Sequence, residues 1–346
     1  MSMPATMKSG VYYQNDKVQV EERPIPAIGQ QEVLVQVATC GICGSDTMAW
    51  YREGQTRGTV GINTGHEIAG EIIQVGDCVQ NYKVHDRVVV THHFPCKNCM
   101  LCREGNETAC EAMHEKHIEP GGFAQYIRVL EKAVHNGLYL MPDGMTYEQG
   151  SYVEPLGCVV RSVRKTGPVA SHTALVIGSG LAGLLHIKLL RALGARIILA
   201  VDTNASRLEA ASRCGADEVM LAAGEMPHAD RVYVCTGSER ASESALECVN
   251  RGGHLMYFAT CGPDARVPLK LTRFWQMQPT ISFSYGAAPR DMREAMELIR
   301  SGAVSVDDLT THRFGIDQIG EAFNLVANPR ENALKVMVEP NRGSTA

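Results

Sequence analysis

The chain has no apolar run near the ~18 residues that a membrane-spanning helix needs. Its longer apolar stretches, such as Ile197–Val201 and Leu255–Ala259, are only strand-sized, so no membrane partner is expected. It also has no basic block. Lysine and arginine number 33 against 38 acidic residues, a net charge of −5, and nothing predicts a nucleic-acid face. The opening run, MSMPATMKSGVYYQNDKVQV, lacks the apolar core of a secretory signal. The 12 cysteines are therefore expected as reduced thiols in the cytoplasm rather than as disulfides. There is no internal repeat and no low-complexity stretch. The tail from Asn341 to Ala346 is small and polar and is expected to fray.

What is present is the composition of a soluble globular protein, 45% hydrophobic and 21% charged, with 346 residues giving room for two domains. The first ~150 residues read as β-rich, with strands expected at Val33–Ala38, Glu71–Val75 and His85–Val90. Helical spacing covers Tyr147–Thr166, with Pro155 placed to open a second helix. Strand and helix then alternate. Strands are expected at Ala174–Ile177, Ile197–Val201, Arg231–Cys235 and His254–Phe258, with helices at Leu181–Leu193, Ser206–Cys214 and Glu239–Val249 between them. That is the β-α-β pattern of a doubly wound parallel sheet. Two helices, Arg290–Ser301 and Ile316–Ala327, flank a polar turn, and a strand at Lys335–Val338 closes the chain.

Cys96, Cys99, Cys102 and Cys110 stand in one loop with the spacing C-x2-C-x2-C-x7-C. Such spacing lets four thiolates point at one centre, as tetrahedral zinc requires. Four protein ligands leave no open position, so the site reads as structural. An iron–sulfur cluster is the rival, because thiolates alone do not select the metal.

Gly178, Ser179, Gly180, Leu181, Ala182 and Gly183 form G-x-G-x-x-G between an expected strand and helix. Gly178 permits the turn, Gly180 lets backbone approach a pyrophosphate, and Gly183 lets the helix pack on the strand. Asp202, at the end of the next strand, suits the hydroxyls of an adenosine ribose and would repel a 2′-phosphate. NAD is therefore expected over NADP, although Arg207 stands one helical turn further on.

Cys43, His66, Glu67 and Glu154 are metal-ligand types scattered through the chain, and spacing alone does not unite them. The ordered set G-I-C-G-S-D (41–46), G-H-E (65–67), the four-cysteine loop, G-G-F-A-Q-Y (121–126), V-E-P-L (153–156) and G-S-G-L-A-G (178–183) does. It resembles the zinc-dependent medium-chain dehydrogenase/reductases over almost the whole chain, closest to the sorbitol and threonine dehydrogenase branch. The resemblance implies a β-rich GroES-like catalytic domain of residues 1–155 and 289–346 and a Rossmann cofactor domain of 156–288, with the active site in the cleft between them. It implies two zinc ions. One is structural, on the four-cysteine loop. The other is catalytic, on Cys43, His66 and Glu154, the last directly or through water, with Glu67 able to approach the metal. It makes Asp46 the acid that orients His66, and Ser45 the first carrier of the alcohol proton. The implied activity is NAD-linked oxidation of a secondary alcohol, a polyol, cyclitol or sugar derivative. An amino alcohol is the alternative, and a non-catalytic NAD-binding protein a further one. A homodimer or homotetramer is implied by analogy.

The chain departs from the family in two places. Met48 stands where many members carry the last histidine of a proton relay, leaving water, ribose hydroxyls or the nearby His92 and His93 to complete it. No arginine falls within Ser282–Gly286, where the sorbitol branch often has one. Trp50 and Tyr51 are candidates for either the substrate pocket or the domain core.

Overall fold

The computed structural model describes residues 3–13, 17–56, 62–330 and 332–343. The chain divides into two compact units, one of Met1–Glu154, Ala287–Arg300 and Val306–Ala346, the other of Pro155–Gly286 with Ser301–Ser305.

The second unit is built on a six-stranded, all-parallel sheet. Its spatial order is Glu218–Leu221, Ile197–Asp202, Thr173–Ile177, Ala229–Val234, Val249–Tyr257, Thr280–Phe283. The first strand in sequence, Thr173–Ile177, is central, and the order reverses beside it. This is the doubly wound arrangement whose crevice lies beyond the carboxyl ends of the central strands. TALVI reads as a near-continuous apolar run because helices cover both faces of such a sheet. The two outermost strands escape a reading of the sequence. Glu218–Leu221 is exposed along its whole length, and Thr280–Phe283 mixes polar and apolar residues, so neither carries a burial pattern. Phe283 on that second edge stands exposed, as do Leu271 and Trp275 in the helix Leu271–Met277 that precedes it in sequence.

The first unit is organised by the strand Val33–Gly41. It pairs antiparallel with Glu67–Val75 on one side and with Lys335–Glu339 and Tyr126–Val129 on the other. Its last residue, Gly41, is in register with Glu67 in one neighbour and Met337 in the other. The strand that closes the chain therefore lies beside the segment leading into Cys43. The core beneath is apolar and buried, with Val33, Val35, Val37, Ile68, Ile72, Phe123 and Val338 among its members.

Three local expectations need correction. Tyr147–Thr166 holds the two helices that Pro155 signals, Tyr147–Ser151 and Val153–Lys165, but the break falls earlier, at Tyr152. Thr146 caps the first through the Gln149 amide. Pro155 is the third residue of the second helix rather than its first; it sits in the opening turn, where its missing N–H leaves no bond unmade. The expected polar turn after Arg300 contains a strand, Thr310–Gly315, parallel to Lys335–Glu339. Asn341 is anchored rather than frayed, because its amide donates to the carbonyls of Val37 and Gln125 at 2.9 and 3.0 Å. Residues 344–346 lie outside the described part. Among the described residues, no helix is long and apolar enough to cross a membrane.

Candidate functional site

Cys43, His66 and Glu67 each offer a ligand atom within 4.8 Å of the others. Cys43 leads the 3-10 turn Gly44–Thr47 at the end of the central strand. His66 precedes the neighbouring strand, and Glu67 begins it. The G-G-F segment holds His66 in place from behind. The amides of Gly122 and Phe123 donate to the carbonyls of Gly65 and Thr64 at 3.0 and 3.2 Å. Gly65 has φ +99°, and a Cβ there would run into the Phe123 backbone at 2.7 Å, so glycine is needed on both counts.

Asp46 is fully buried beneath this cluster. Its Oδ2 accepts from the Cys43 amide at 2.9 Å, and its Oδ1 pairs with the buried Arg52 guanidinium. His66 Nδ1 lies 3.6 Å from the same Oδ1, just beyond hydrogen-bond length. Burial opposes charge on His66, but the Asp46 carboxylate and Cys43 outweigh it and hold the imidazole well above its usual pKa. Burial likewise raises Asp46, while His66 and Arg52 more than offset it and hold the carboxyl below its usual range. The surroundings thus favour positive charge at His66. Glu67 Oε1 is buried and has no hydrogen-bond partner among the described residues. A thiol, an imidazole and a carboxylate with a spare oxygen fit a zinc ion as donors.

Glu154 is buried in the first turn of Val153–Lys165 but is not a member of the three-residue cluster. Ser45 sits half-buried on the turn after Cys43, and Met48 follows it. Trp50 is 38% exposed, which rules out the domain core for it; its ring meets Tyr51 edge-on at 5.8 Å. His92 packs its ring 4.6 Å from that of His66, and His93 stacks on His92 at 3.6 Å. Burial, aided by neighbouring histidines, pushes both well down, His93 to about 3, so both rings are neutral near pH 7.

The four-cysteine loop closes on itself. Cys99 Sγ lies 3.5 Å from Cys102 Sγ and 3.8 Å from Cys110 Sγ, and Cys96 Sγ lies 3.9 Å from Cys102 Sγ. Four sulfurs about 2.3 Å from a tetrahedral zinc stand about 3.8 Å apart. All twelve cysteines are free thiols. Lys97 adopts φ 65°, a left-handed turn that folds the chain between the first two cysteines. The amides of Asn98 and Cys99 lower Cys96 to about 6, whereas desolvation and the neighbouring thiols raise Cys102 to about 12. One negative sulfur makes the next costlier, a conflict that a dication bound to all four relieves.

In the other unit, Gly178 follows its strand at φ +94°. A Cβ on Gly183 would fall 1.9 Å from the Gly178 carbonyl, so the helix Leu181–Ala192 approaches only with glycine there. Gly180 caps this helix, and a Cβ on it would meet nothing within 4 Å. The space over Gly180 is open at a helix N-terminus, where free amides favour a phosphate. Asp202 ties the turn to the next strand, accepting from the Ser179 and Asn204 amides at 2.7 and 2.8 Å. Arg207 is half-buried in the helix Ala205–Arg213.

Three side chains at the first cluster have no motif and were missed in the sequence. Arg52 pairs with Asp46. Ser151, fully buried, donates to the Glu67 carbonyl at 2.8 Å and accepts from the Gly41 amide at 3.1 Å. Lys335 pairs with Glu67. The only signal for Lys335 was a lysine opening a strand whose next three residues are apolar.

Residues 29–143 match the alcohol dehydrogenase GroES-like domain, and 182–301 match the zinc-binding dehydrogenase family. A sorbitol dehydrogenase of Bacillus subtilis is 30% identical, covering 99% of each chain. A D-arabinitol dehydrogenase of Uromyces fabae is 29% identical over 98% of this chain and 99% of its own. The crystal structure of 2R,3R-butanediol dehydrogenase from Bacillus subtilis is 26% identical and superposes with a TM-score of 0.83, covering 97% of this chain and 100% of its own.

Proposed function

Given that the chain belongs to the zinc-dependent medium-chain dehydrogenases and is sorbitol dehydrogenase-like, we propose that it moves a hydride between NAD and a secondary alcohol of a polyol, cyclitol or sugar derivative. The observation that carries this reading is the convergence of Cys43, His66 and Glu67 from two adjoining strand ends. Cys43 and His66 would hold the catalytic zinc, with Glu154 or Glu67 supplying a carboxylate. Cys96, Cys99, Cys102 and Cys110 would hold the second ion. Zinc, when bound at Cys43, supplies a Lewis acid for the substrate oxygen. NAD supplies the hydride acceptor, and the protein supplies position and charge. Ser45 takes the proton of the substrate hydroxyl. Met48 carries no proton, and the neutral His92 ring lies tilted against His66 with His93 stacked on His92, so the onward carrier in this reading is water or a ribose hydroxyl. The polyol names of the two curated relatives support that substrate class.

Asp202 supports NAD, because its carboxylate accepts from ribose hydroxyls and repels a 2′-phosphate. Polyols, cyclitols, sugar phosphates and 3-hydroxy amino acids, each offered with NAD and with NADP, test the reading through reduced-nicotinamide absorbance. We expect turnover on a polyol or its derivative, with NAD preferred by about tenfold or more, equivalent to about 1.4 kcal/mol. Turnover confined to a 3-hydroxy amino acid would refute the polyol assignment.

Gly180 gives a separate test of the cofactor site. A side chain there enters open space, so Gly180→Val should leave the melting temperature within about 2 °C, since a surface change of this kind costs about 0.5 kcal/mol or less. The same side chain fills the space where a pyrophosphate would lie, and titration calorimetry should show NAD affinity reduced at least about tenfold. Unchanged affinity would place the phosphates elsewhere.

A further inference from the structure

Lys335 is 0% exposed and Glu67 1%, so their ion pair lies wholly inside the first unit. The ammonium donates to Glu67 Oε2 and, at 3.2 Å, to the Ile42 carbonyl, one residue before Cys43. The strand around it fixes its position. The Lys335 amide donates to the Leu309 carbonyl, and the Thr311 hydroxyl donates to the Lys335 carbonyl. Gly41 makes room for the pair. A Cβ on Gly41 would lie 2.6 Å from Lys335 Nζ and closer still to Glu67 Oε2. Only one carboxylate oxygen is thereby engaged. Glu67 Oε1 remains buried without a partner among the described residues, in the same cluster as Cys43 and His66.

A buried carboxylate beside a dication would bind it directly unless another cation competes. With Cys43, His66 and Glu154 as ligands, Glu67 would be a fourth protein ligand and would close the site as four cysteines close a structural one. It would also cancel charge on the ion and weaken it as a Lewis acid. We propose that Lys335 is a positioning residue that tethers Glu67 through Oε2. The tether keeps Glu67 beside the metal position without making it a permanent ligand, and so keeps one coordination position open. This rests on the zinc reading of Cys43 and His66 with Glu154, rather than Glu67, as the carboxylate ligand. It assigns a role to a residue from the far end of the chain that has no motif.

The test reads metal affinity rather than turnover alone. Zinc is titrated against a competing chelator, following the ion that Cys43→Ser removes. In K335M the freed Glu67 should bind zinc, so this ion should be held at least tenfold more tightly while kcat falls. K335M/E67Q should return the affinity to within threefold of the parent, because the amide cannot replace the carboxylate as a ligand. A lysine that merely braced the strand would give weaker binding in K335M and no reversal by E67Q. Either result overturns the proposal, as does unchanged affinity.

Should K335M fail to fold, E67Q alone decides. A tethered, non-ligating Glu67 predicts less than tenfold loss of zinc affinity, and a loss of tenfold or more marks it as a standing ligand and refutes the tether. Failure of the underlying reading looks different: Cys43→Ser would then remove no metal from the parent protein.

Discussion

Cys43→Ser is expected to reduce turnover at least about a thousandfold while preserving the fold and the affinity for NAD. Serine is close in size to cysteine, and the Cys43 position is only half-buried. The amide that donates to Asp46 belongs to the backbone and survives the change. What disappears is the thiolate, the strongest zinc donor in the cluster. Losing the Lewis acid forfeits several kcal/mol of transition-state stabilisation, and about 4 kcal/mol corresponds to about a thousandfold in rate. Metal analysis should count two zinc ions per chain in the parent and one in the variant. Circular dichroism should coincide for the two proteins. A variant that kept both ions and its turnover would remove Cys43 from the metal site.

The second large effect belongs to the four-cysteine loop, and it is one of stability. Between Cys96 and Cys110 the regular structure is only the short helix Met100–Arg103 and the 3-10 turn Glu107–Ala109; a further 3-10 turn, Glu111–His114, follows. The helix buries no residue. Packing therefore contributes little there, and a metal held by the four thiolates would carry most of the order. Structural zinc contributes about 10–16 kcal/mol to folding in small zinc peptides, so losing one of four thiolates in Cys99→Ser should cost at least about 3 kcal/mol. For a unit of this size that lowers the melting temperature by about 6–12 °C. Calorimetry measures the shift, and limited proteolysis should cut first between residues 96 and 114. An unchanged melting temperature with one zinc lost would show that the loop does not need its metal.

The chemistry visible in the sequence is the chemistry encoded by short spacing. Cysteines two apart, glycines around one turn and an acid at the end of the next strand are each fixed by local backbone geometry, so their order in the sequence is nearly their order in space. The central strands of the parallel sheet were visible because burial on both faces makes them apolar throughout. The edge strands were not, since one flank meets solvent and Glu218–Leu221 has no buried residue. Arg52, Ser151 and Lys335 were invisible for another reason. Each acts through a partner that tertiary packing supplies: Arg52 reaches Asp46 from the following helix, Ser151 reaches Glu67 and Gly41 from the helix Tyr147–Ser151, and Lys335 reaches Glu67 from its strand, so one residue type at one position says nothing of what it will meet. Pro155 signals the break within 147–166 but not its place: helical periodicity continues through Tyr152, and a Pro in a first turn reads the same whether it is first or third.

Sequence separation determines the order in which the sites can be completed during synthesis. Ser179 and Asp202, which close the glycine turn, are 23 residues apart, whereas Lys335 and Glu67 are separated by 268. A growing chain holds everything needed for the first pairing long before it holds the second. Until the strand Lys335–Glu339 emerges, Glu67 lacks the cation it pairs with. The countercharge of Glu67 thus arrives long after the glycine turn can close.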